Sequence, residues 1–324
     1  MRLSICCGIV VVIICISLNP AIDRRLHVAE LLVGRVNRAA SARSTLGGKA
    51  AHVATASRAL GAEVLWIGFL GMATGEECER ELNALTIPSE IVRTKSATRV
   101  NLEIIGADGT ITEILEPGGP IDKDESDEML AVCSRLFEHY KKEAQVILTG
   151  SLPRGLPTTY YATLIHAAHQ WGCFVMLDTS GEALLTALSA LPDLIKPNRE
   201  EAALVLGMPI TNDETAITAA RRFLELGAQS VALSLGSQGL VWLSASEMQA
   251  VIVRPPVVSV TSTVGCGDAT LAGLAVARSR KDSSRDGLVL AVSCGAANCL
   301  ATSPGRIDPL QVSHLAPLIE VCEL

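Results

Sequence analysis

The chain has 324 residues, of which 49% are hydrophobic and 19% charged, enough apolar matter for a large folded core and too little charge for a disordered chain. Lys and Arg number 27 against 34 Asp and Glu, a net charge of −7 with no basic cluster, and aromatic residues make up 3%; nucleic-acid binding by counterion release or base stacking is therefore disfavoured. The 10 cysteines include no Cys-x-x-Cys pair, so they read as buried free thiols in a reducing compartment and not as zinc ligands or a disulfide framework.

Residues 1–18 are almost wholly apolar. They resemble a short secretory signal, but three features oppose that. The run is short for a membrane span, no small-residue cleavage site precedes Asn19-Pro20, and residues 10–18 (VVVIICISL) read as a buried parallel strand. A cytoplasmic protein without membrane association is expected, with about eight leading residues as a ragged extension. Asn19-Pro20-Ala21-Ile22-Asp23 reads as a strand-end turn carrying a carboxylate, and the basic, alternating residues 24–46 as exposed strands. Gly47-Gly48-Lys49 opens a helix over 50–60. A buried strand (63–68), a helix (75–85) and a hairpin (99–105 with 110–115, turning at Asp108-Gly109) follow.

From residue 121 helices and apolar strands alternate. Helix 124–142 leads to strand 145–149, helix 158–171 to strand 173–178, and helix 181–190 to strand 193–196. Helices 199–206 and 213–226 precede strand 230–235 and its hairpin partner 240–243. Helices 269–278 and 288–301 close the pattern. This predicts an α/β fold with a mostly parallel sheet covered on both faces, and segments 24–46 and 97–118 pairing into a small subsidiary sheet.

The strongest chemical signal is Gly265-Cys266-Gly267-Asp268 at a helix start. Consecutive backbone N–H groups there, backed by the helix dipole, suit a phosphoryl group gathering negative charge. A carboxylate among such amides makes sense as a general base facing a hydroxyl; standing alone, it would merely complement the dipole. No Gly-x-x-x-x-Gly-Lys-Ser/Thr loop occurs, and no Gly-x-Gly-x-x-Gly follows the first strand, which disfavours Walker-type kinases and nicotinamide dehydrogenases. Gly47-Gly48-Lys49 allows close backbone approach to a ligand and adds a point charge. In Lys196-Pro197-Asn198-Arg199-Glu200-Glu201, at a strand's C-terminal end, Asn198 and Glu201 can serve a hard cation through its waters or can simply cap a helix.

Together these segments resemble the PfkB-type carbohydrate kinases of the ribokinase-like fold, in particular the 1-phosphofructokinase and tagatose-6-phosphate kinase branch. The likeness runs over about residues 10–305, in ordered motifs. It implies a single domain over residues 1–324 with a central, mostly parallel sheet between helices and a small β-sheet lid from segments 24–46 and 97–118. It implies sugar contacts from Asp23, Gly47, Gly48 and Lys49, with Arg99 (in Thr98-Arg99-Val100-Asn101) gripping the substrate phosphate, and Asn101 and Ser151 beside it. It implies nucleotide contacts from Lys196, Asn198, Ser234, Gly236 and Asn298, magnesium at Asn198 and Glu201, an anion hole at Gly265, Cys266 and Gly267, and Asp268 as base. The departures are Ala50 where the family commonly has glycine, His52 where it has the asparagine that contacts a sugar hydroxyl, so that His52 is expected to contact the substrate, and Cys266 where it has alanine or serine.

The expected activity is ATP- and Mg²⁺-dependent phosphorylation of fructose 1-phosphate, tagatose 6-phosphate or fructose 6-phosphate, with adenine held by aliphatic side chains near residues 288–301. The resemblance also implies a homodimer formed through the lid. The alternatives are a kinase of the same fold acting on another phosphosugar or a free sugar, and a non-catalytic phosphosugar-binding protein.

Overall fold

The computed structural model describes residues 11–247 and 249–324; the expected leading extension and the start of the first strand at residue 10 lie outside the described residues. In chain order the first elements are β1 (Val12–Ser17), β2 (Ala21–His27), β3 (Ser41–Gly47), α1 (Lys49–Ala59), β4 (Glu63–Gly71), α2 (Met72–Ala84), β5 (Ser89–Thr94), β6 (Arg99–Ile105) and β7 (Ile111–Leu115). Then come α3 (Lys123–Tyr140), β8 (Ala144–Thr149), α4 (Tyr160–His169), β9 (Phe174–Asp178), α5 (Gly181–Leu188), β10 (Leu194–Ile195), α6 (Arg199–Leu206) and α7 (Asp213–Glu225). The last are β11 (Ser230–Ser234), β12 (Leu240–Ser244), β13 (Val251–Arg254), α8 (Cys266–Arg280), α9 (Ser284–Leu300), α10 (Pro309–Leu315) and β14 (Glu320–Glu323).

The apolar runs form a 10-stranded sheet in the order β14-β13-β12-β11-β10-β9-β8-β1-β4-β5. From β5 to β11 neighbours are parallel; β12, β13 and β14 extend it antiparallel. β1 lies in the interior of this sheet, with Cys15 opposite both Trp66 of β4 and Ile147 of β8. Its side chains alternate between two cores. Ile14 and Ile16 pack with Met129 and Phe137 of α3, Tyr161 of α4 and Phe223 of α7. Ile13 and Cys15 pack with Val53 of α1, Leu82 of α2, Ala275 of α8 and Ala291 of α9. Each fully buried aliphatic or aromatic side chain of this kind contributes about 1.5–3 kcal/mol.

Segments 24–46 and 97–118 do pair, as a 4-stranded sheet in the order β3-β2-β6-β7. Asp23 lies inside β2 and not in a turn, because Ala21–His27 pairs along its whole length with β3 and β6. The helix after the glycine motif begins at Cys266 and not at residue 269, so Cys266, Gly267 and Asp268 are its first turn. β5, β13, β14 and α10 are additions to the expected elements. β5 (SEIVRT) and β14 (EVCE) are edge strands whose polar composition hides them. No helix among the described residues is long and apolar enough to cross a membrane.

Candidate active site

Parallel strands end on one rim, and ligands of open α/β sheets bind beyond those C-terminal ends. Here Ser17, Thr149, Asp178, Lys196 and Ser234, from or just after β1, β8, β9, β10 and β11, line a single cleft of ≈ 940 Å³. The small sheet forms another wall through Asp23, Asn101, Glu103 and Glu113. The N-terminus of α8 forms a third.

At that N-terminus Gly265 takes φ +78, and a Cβ there would fall 2.7 Å from the Pro304 Cβ, so only glycine makes the turn. The backbone N–H groups of Gly267 and Asp268 have no hydrogen-bond partner among the described residues, while Ala269 N–H already bonds the Gly265 carbonyl. Two bare N–H groups at a helix's positive end can receive an anion; of the hole expected at Gly265, Cys266 and Gly267, the Cys266 N–H is engaged by the Thr263 carbonyl at 3.3 Å. Asn298 holds this loop from behind. Its amide donates to the Val264 carbonyl at 2.8 Å, and its oxygen accepts the Gly305 N–H at 2.8 Å.

His52 on α1 links two carboxylates. Its Nδ1 lies 2.8 Å from Asp268 Oδ2 and its Nε2 3.1 Å from Asp23 Oδ2. Ionised carboxylates only accept, so both ring nitrogens carry hydrogens and the ring is an imidazolium. Burial opposes that charge, but the hydrogen bonds and charges of Asp23 and Asp268 outweigh it and push His52 up to about 10. Burial would raise Asp23, yet His52, the Asn101 amide (2.9 Å to Oδ1) and Arg25 hold it below the usual carboxylate range. Gly47 makes room for this carboxylate: a Cβ there would sit 2.1 Å from the Asp23 Cγ. Asp268 Oδ1 has no hydrogen-bond partner among the described residues. Asn101 Oδ1 and Thr149 Oγ1 are buried atoms on the cleft without a partner among the described residues.

A second charged cluster surrounds Asp178. Its Oδ1 lies 3.1 Å from Lys49 Nζ and its Oδ2 3.1 Å from Lys196 Nζ. Burial works against the Asp178 charge, but the two lysines keep it below the ordinary carboxylate range. The charge of Asp178 in turn raises Lys49, against the opposing effect of burial. Asn198 and Glu201 form a reciprocal cap on α6. Glu201 N–H donates to Asn198 Oδ1 at 2.8 Å, and Asn198 N–H donates to Glu201 Oε2 at 2.9 Å. Glu201 Oε1 remains on the cleft, 3.5 Å from Lys49 Nζ.

The cleft therefore gathers Asp23, Gly48, Lys49, His52, Arg99, Asn101, Ser151, Lys196, Asn198, Glu201, Ser234, Gly236, Gly265, Cys266, Gly267 and Asp268. Gly47 and Asn298 are not on its wall; the first accommodates Asp23 and the second braces the anion-hole loop. Arg99 reaches the cleft, with Nε on the Asn19 carbonyl (3.2 Å) and Nη1 on the Glu116 carbonyl (2.9 Å). Sequence reasoning gave no role to Asp178, although its stretch 177–181 is among those that resemble the family, and none to Glu103. An acidic residue at the end of an apolar strand was the available signal for Asp178. Glu103 had none, because its meaning lies in the 2.6 Å ion pair with Arg25 across β2 and β6.

No three His, Cys, Asp or Glu side chains converge as a metal site among the described residues. A cation here would take one or two protein oxygens and complete its shell with water and phosphate oxygens, the habit of Mg²⁺ with nucleotides. Glu201 Oε1 fits that demand; the Asn198 side-chain oxygen is engaged in the cap.

A family model described as pfkB family carbohydrate kinase matches residues 10–310. The chain is 31% identical over 315 residues to a tagatose-6-phosphate kinase of Staphylococcus epidermidis, spanning 96% of this chain and 100% of that protein. It is 37% identical over 264 residues to a 1-phosphofructokinase of Rhodobacter capsulatus, spanning 80% of this chain and 81% of that protein. The solved tetrameric inhibited form of phosphofructokinase-2 from Escherichia coli superposes with a TM-score of 0.88 at 27% identity, over 95% of this chain and 99% of that one. A ribokinase of Arabidopsis thaliana, complexed with ribose and ATP, shares the fold at a TM-score of 0.76 and 21% identity, over 95% of this chain and 99% of that one.

Proposed function

The chain belongs to the pfkB family of carbohydrate kinases, and from that premise we propose that it transfers the terminal phosphoryl group of ATP to a hydroxyl of a ketohexose monophosphate, giving the bisphosphate and ADP. Fructose 1-phosphate, tagatose 6-phosphate and fructose 6-phosphate are the candidate acceptors. The observation that carries this reading is Asp268. It presents an unpartnered Oδ1 to the cleft beside the bare N–H groups of Gly267 and its own backbone. A base for the hydroxyl proton and a hole for the transferring phosphoryl thus sit on one helical turn.

The roles follow from what each group has left to give. The acceptor hydroxyl passes its proton to Asp268 Oδ1. The Gly267 and Asp268 N–H groups hold the charge on the phosphoryl oxygens in flight. Asp23 and the orphan Asn101 Oδ1 orient the sugar by its hydroxyls, with His52 fixing the Asp23 carboxylate. Arg99 and Lys49 take the phosphate already on the sugar. Lys196, Ser234 and Gly236 flank the nucleotide. Magnesium, when bound at Glu201 beside Asn198, supplies charge neutralisation for the nucleotide phosphates.

The small sheet acts as the lid. Along β2, β6 and β7 the cleft-facing residues Asp23, Asn101, Glu103, Glu113 and Leu115 alternate with an outer face bearing Leu26, Leu102, Ile104 and Ile114. That outer face, apolar apart from Arg24 and Thr112 and with Ile114 55% exposed, supports a homodimer made lid to lid.

ADP release, measured over the three sugar phosphates and their free sugars, tests the activity. One phosphosugar should be turned over well above the free sugars; equal or absent turnover overturns the reading. Asp268→Asn should lower kcat by on the order of 10²–10⁴ while ATP still binds.

A further inference from the structure

The cleft holds a pair of thiols that the kinase reaction does not use. Cys266, the first residue of α8, and Cys299, in the last turn of α9, place their sulfurs 3.1 Å apart. Both are partly exposed and both line the cleft. Cys15, Cys78, Cys133, Cys173 and Cys294 are buried, and burial pushes their thiols up. Cys299 differs: the hydrogen bond from the Cys266 thiol, against the effect of burial, brings it down to about 7. That same hydrogen bond, together with burial, raises Cys266. Two sulfurs 3.1 Å apart share one proton between them, so the pair can present one thiolate with a thiol beside it, the arrangement of an attacking and a resolving cysteine.

We propose that Cys266 and Cys299 are a peroxide-reactive dithiol site whose oxidation to a disulfide distorts the anion hole and arrests turnover. The Cys299 thiolate attacks one oxygen of hydrogen peroxide. The O–O bond breaks, and the departing hydroxide takes a proton to become water. Cys299 is then a sulfenic acid. Cys266, giving up its proton, attacks that sulfur; the S–S bond forms and the sulfenic oxygen leaves as a second water. Two thiols supply two electrons and two protons, and one peroxide becomes two waters.

The mechanical consequence follows from distances. A disulfide needs its sulfurs about 2.05 Å apart, so closing the 3.1 Å gap moves them together by about 1 Å, and the part that side-chain rotation does not absorb falls on the two helix ends. The phosphate loop is bound to both ends. The Cys299 carbonyl accepts the Thr261 N–H at 2.7 Å and the Ser262 N–H at 3.3 Å, and Cys266 begins the turn that bears the bare N–H groups. A misplacement of that size at a reacting centre costs up to about 10²-fold in rate. The thiol chemistry is independent of the kinase reading; the loss of turnover rests on it.

The test treats the purified, reduced full chain with a small molar excess of hydrogen peroxide. It then follows thiol count, the peptide joining Cys266 to Cys299 in a non-reducing digest, and kcat, before and after dithiothreitol. The expected result is loss of two thiols, that one linked peptide, and a fall in kcat of at least about tenfold that dithiothreitol reverses. Cys299→Ser and, independently, Cys299→Ala should form no such link and keep their own untreated rates. Absence of the link in the wild type overturns the proposal. So does a linked enzyme with undiminished kcat, or equal fractional inactivation of the Cys299 variants. A reduced protein inactive on every sugar phosphate would end the kinase reading alone; thiol count and linked peptide would then decide the dithiol site by themselves.

Discussion

His52 carries more of the site than its place in the sequence suggests. The resemblance gave it a ligand-contacting position, and the structure makes it the cation between Asp23 and Asp268. Removing one partner from such a buried arrangement costs roughly 3–5 kcal/mol, so His52→Ala should lower the thermal midpoint sharply. The pH dependence has a definite sign. The folded His52 is raised to about 10 from an unfolded value near 6.5, so its stabilising contribution is complete below about 6.5 and is lost as pH rises through about 10. Thermal melts of wild type and His52→Gln should therefore differ most below that lower value and converge at alkaline pH; a constant difference would show the imidazole uncharged. His52 was legible as a departure from a motif. Its pairing with Asp23 and Asp268 was not, because they lie 29 and 216 positions away and meet it only in the folded cleft.

At the scale of elements, the motifs with local causes were readable. Asn198 and Glu201 close a reciprocal cap, and α6 runs over the expected residues 199–206. The βα alternation after residue 121 places Asp178, Lys196 and Ser234 at strand ends on one rim. What could not be read was that the strand begins at Ala21 and so includes Asp23, and the main-sheet edge strands Ser89–Thr94 and Glu320–Glu323, whose polar residues carry no periodic signal until a neighbour pairs with them. The start of α8 gives an element-level prediction. Gly265→Ala forces a left-handed conformation that costs about 1–2 kcal/mol and drives a Cβ against Pro304. The turn must shift, and kcat should fall by on the order of 10² with ATP affinity less affected; retained kcat would remove the anion hole from this turn.

For the molecule as a whole, the small sheet is the part whose surroundings decide its behaviour. It is tied to the main body by Arg25, which pairs with Glu103 and also donates to the Thr302 carbonyl and, at 3.5 Å, to Ser303 Oγ. Its outer apolar face gives a prediction at this scale. On the lid-to-lid dimer proposed above, Ile114→Lys should shift a sedimentation profile from dimer to monomer while changing the monomer's own unfolding free energy by no more than about 0.5 kcal/mol, as expected for a surface change. A monomeric wild type would remove the lid-to-lid interface. Asp178 has a consequence of its own. It already pairs with both Lys49 and Lys196, so an arriving phosphate meets neither as a bare ammonium. On the proposed reading it takes Lys49 in trade from a resident counter-anion, which retains Lys196. Substrate capture is then ion exchange inside a cleft that carries its own counter-ion.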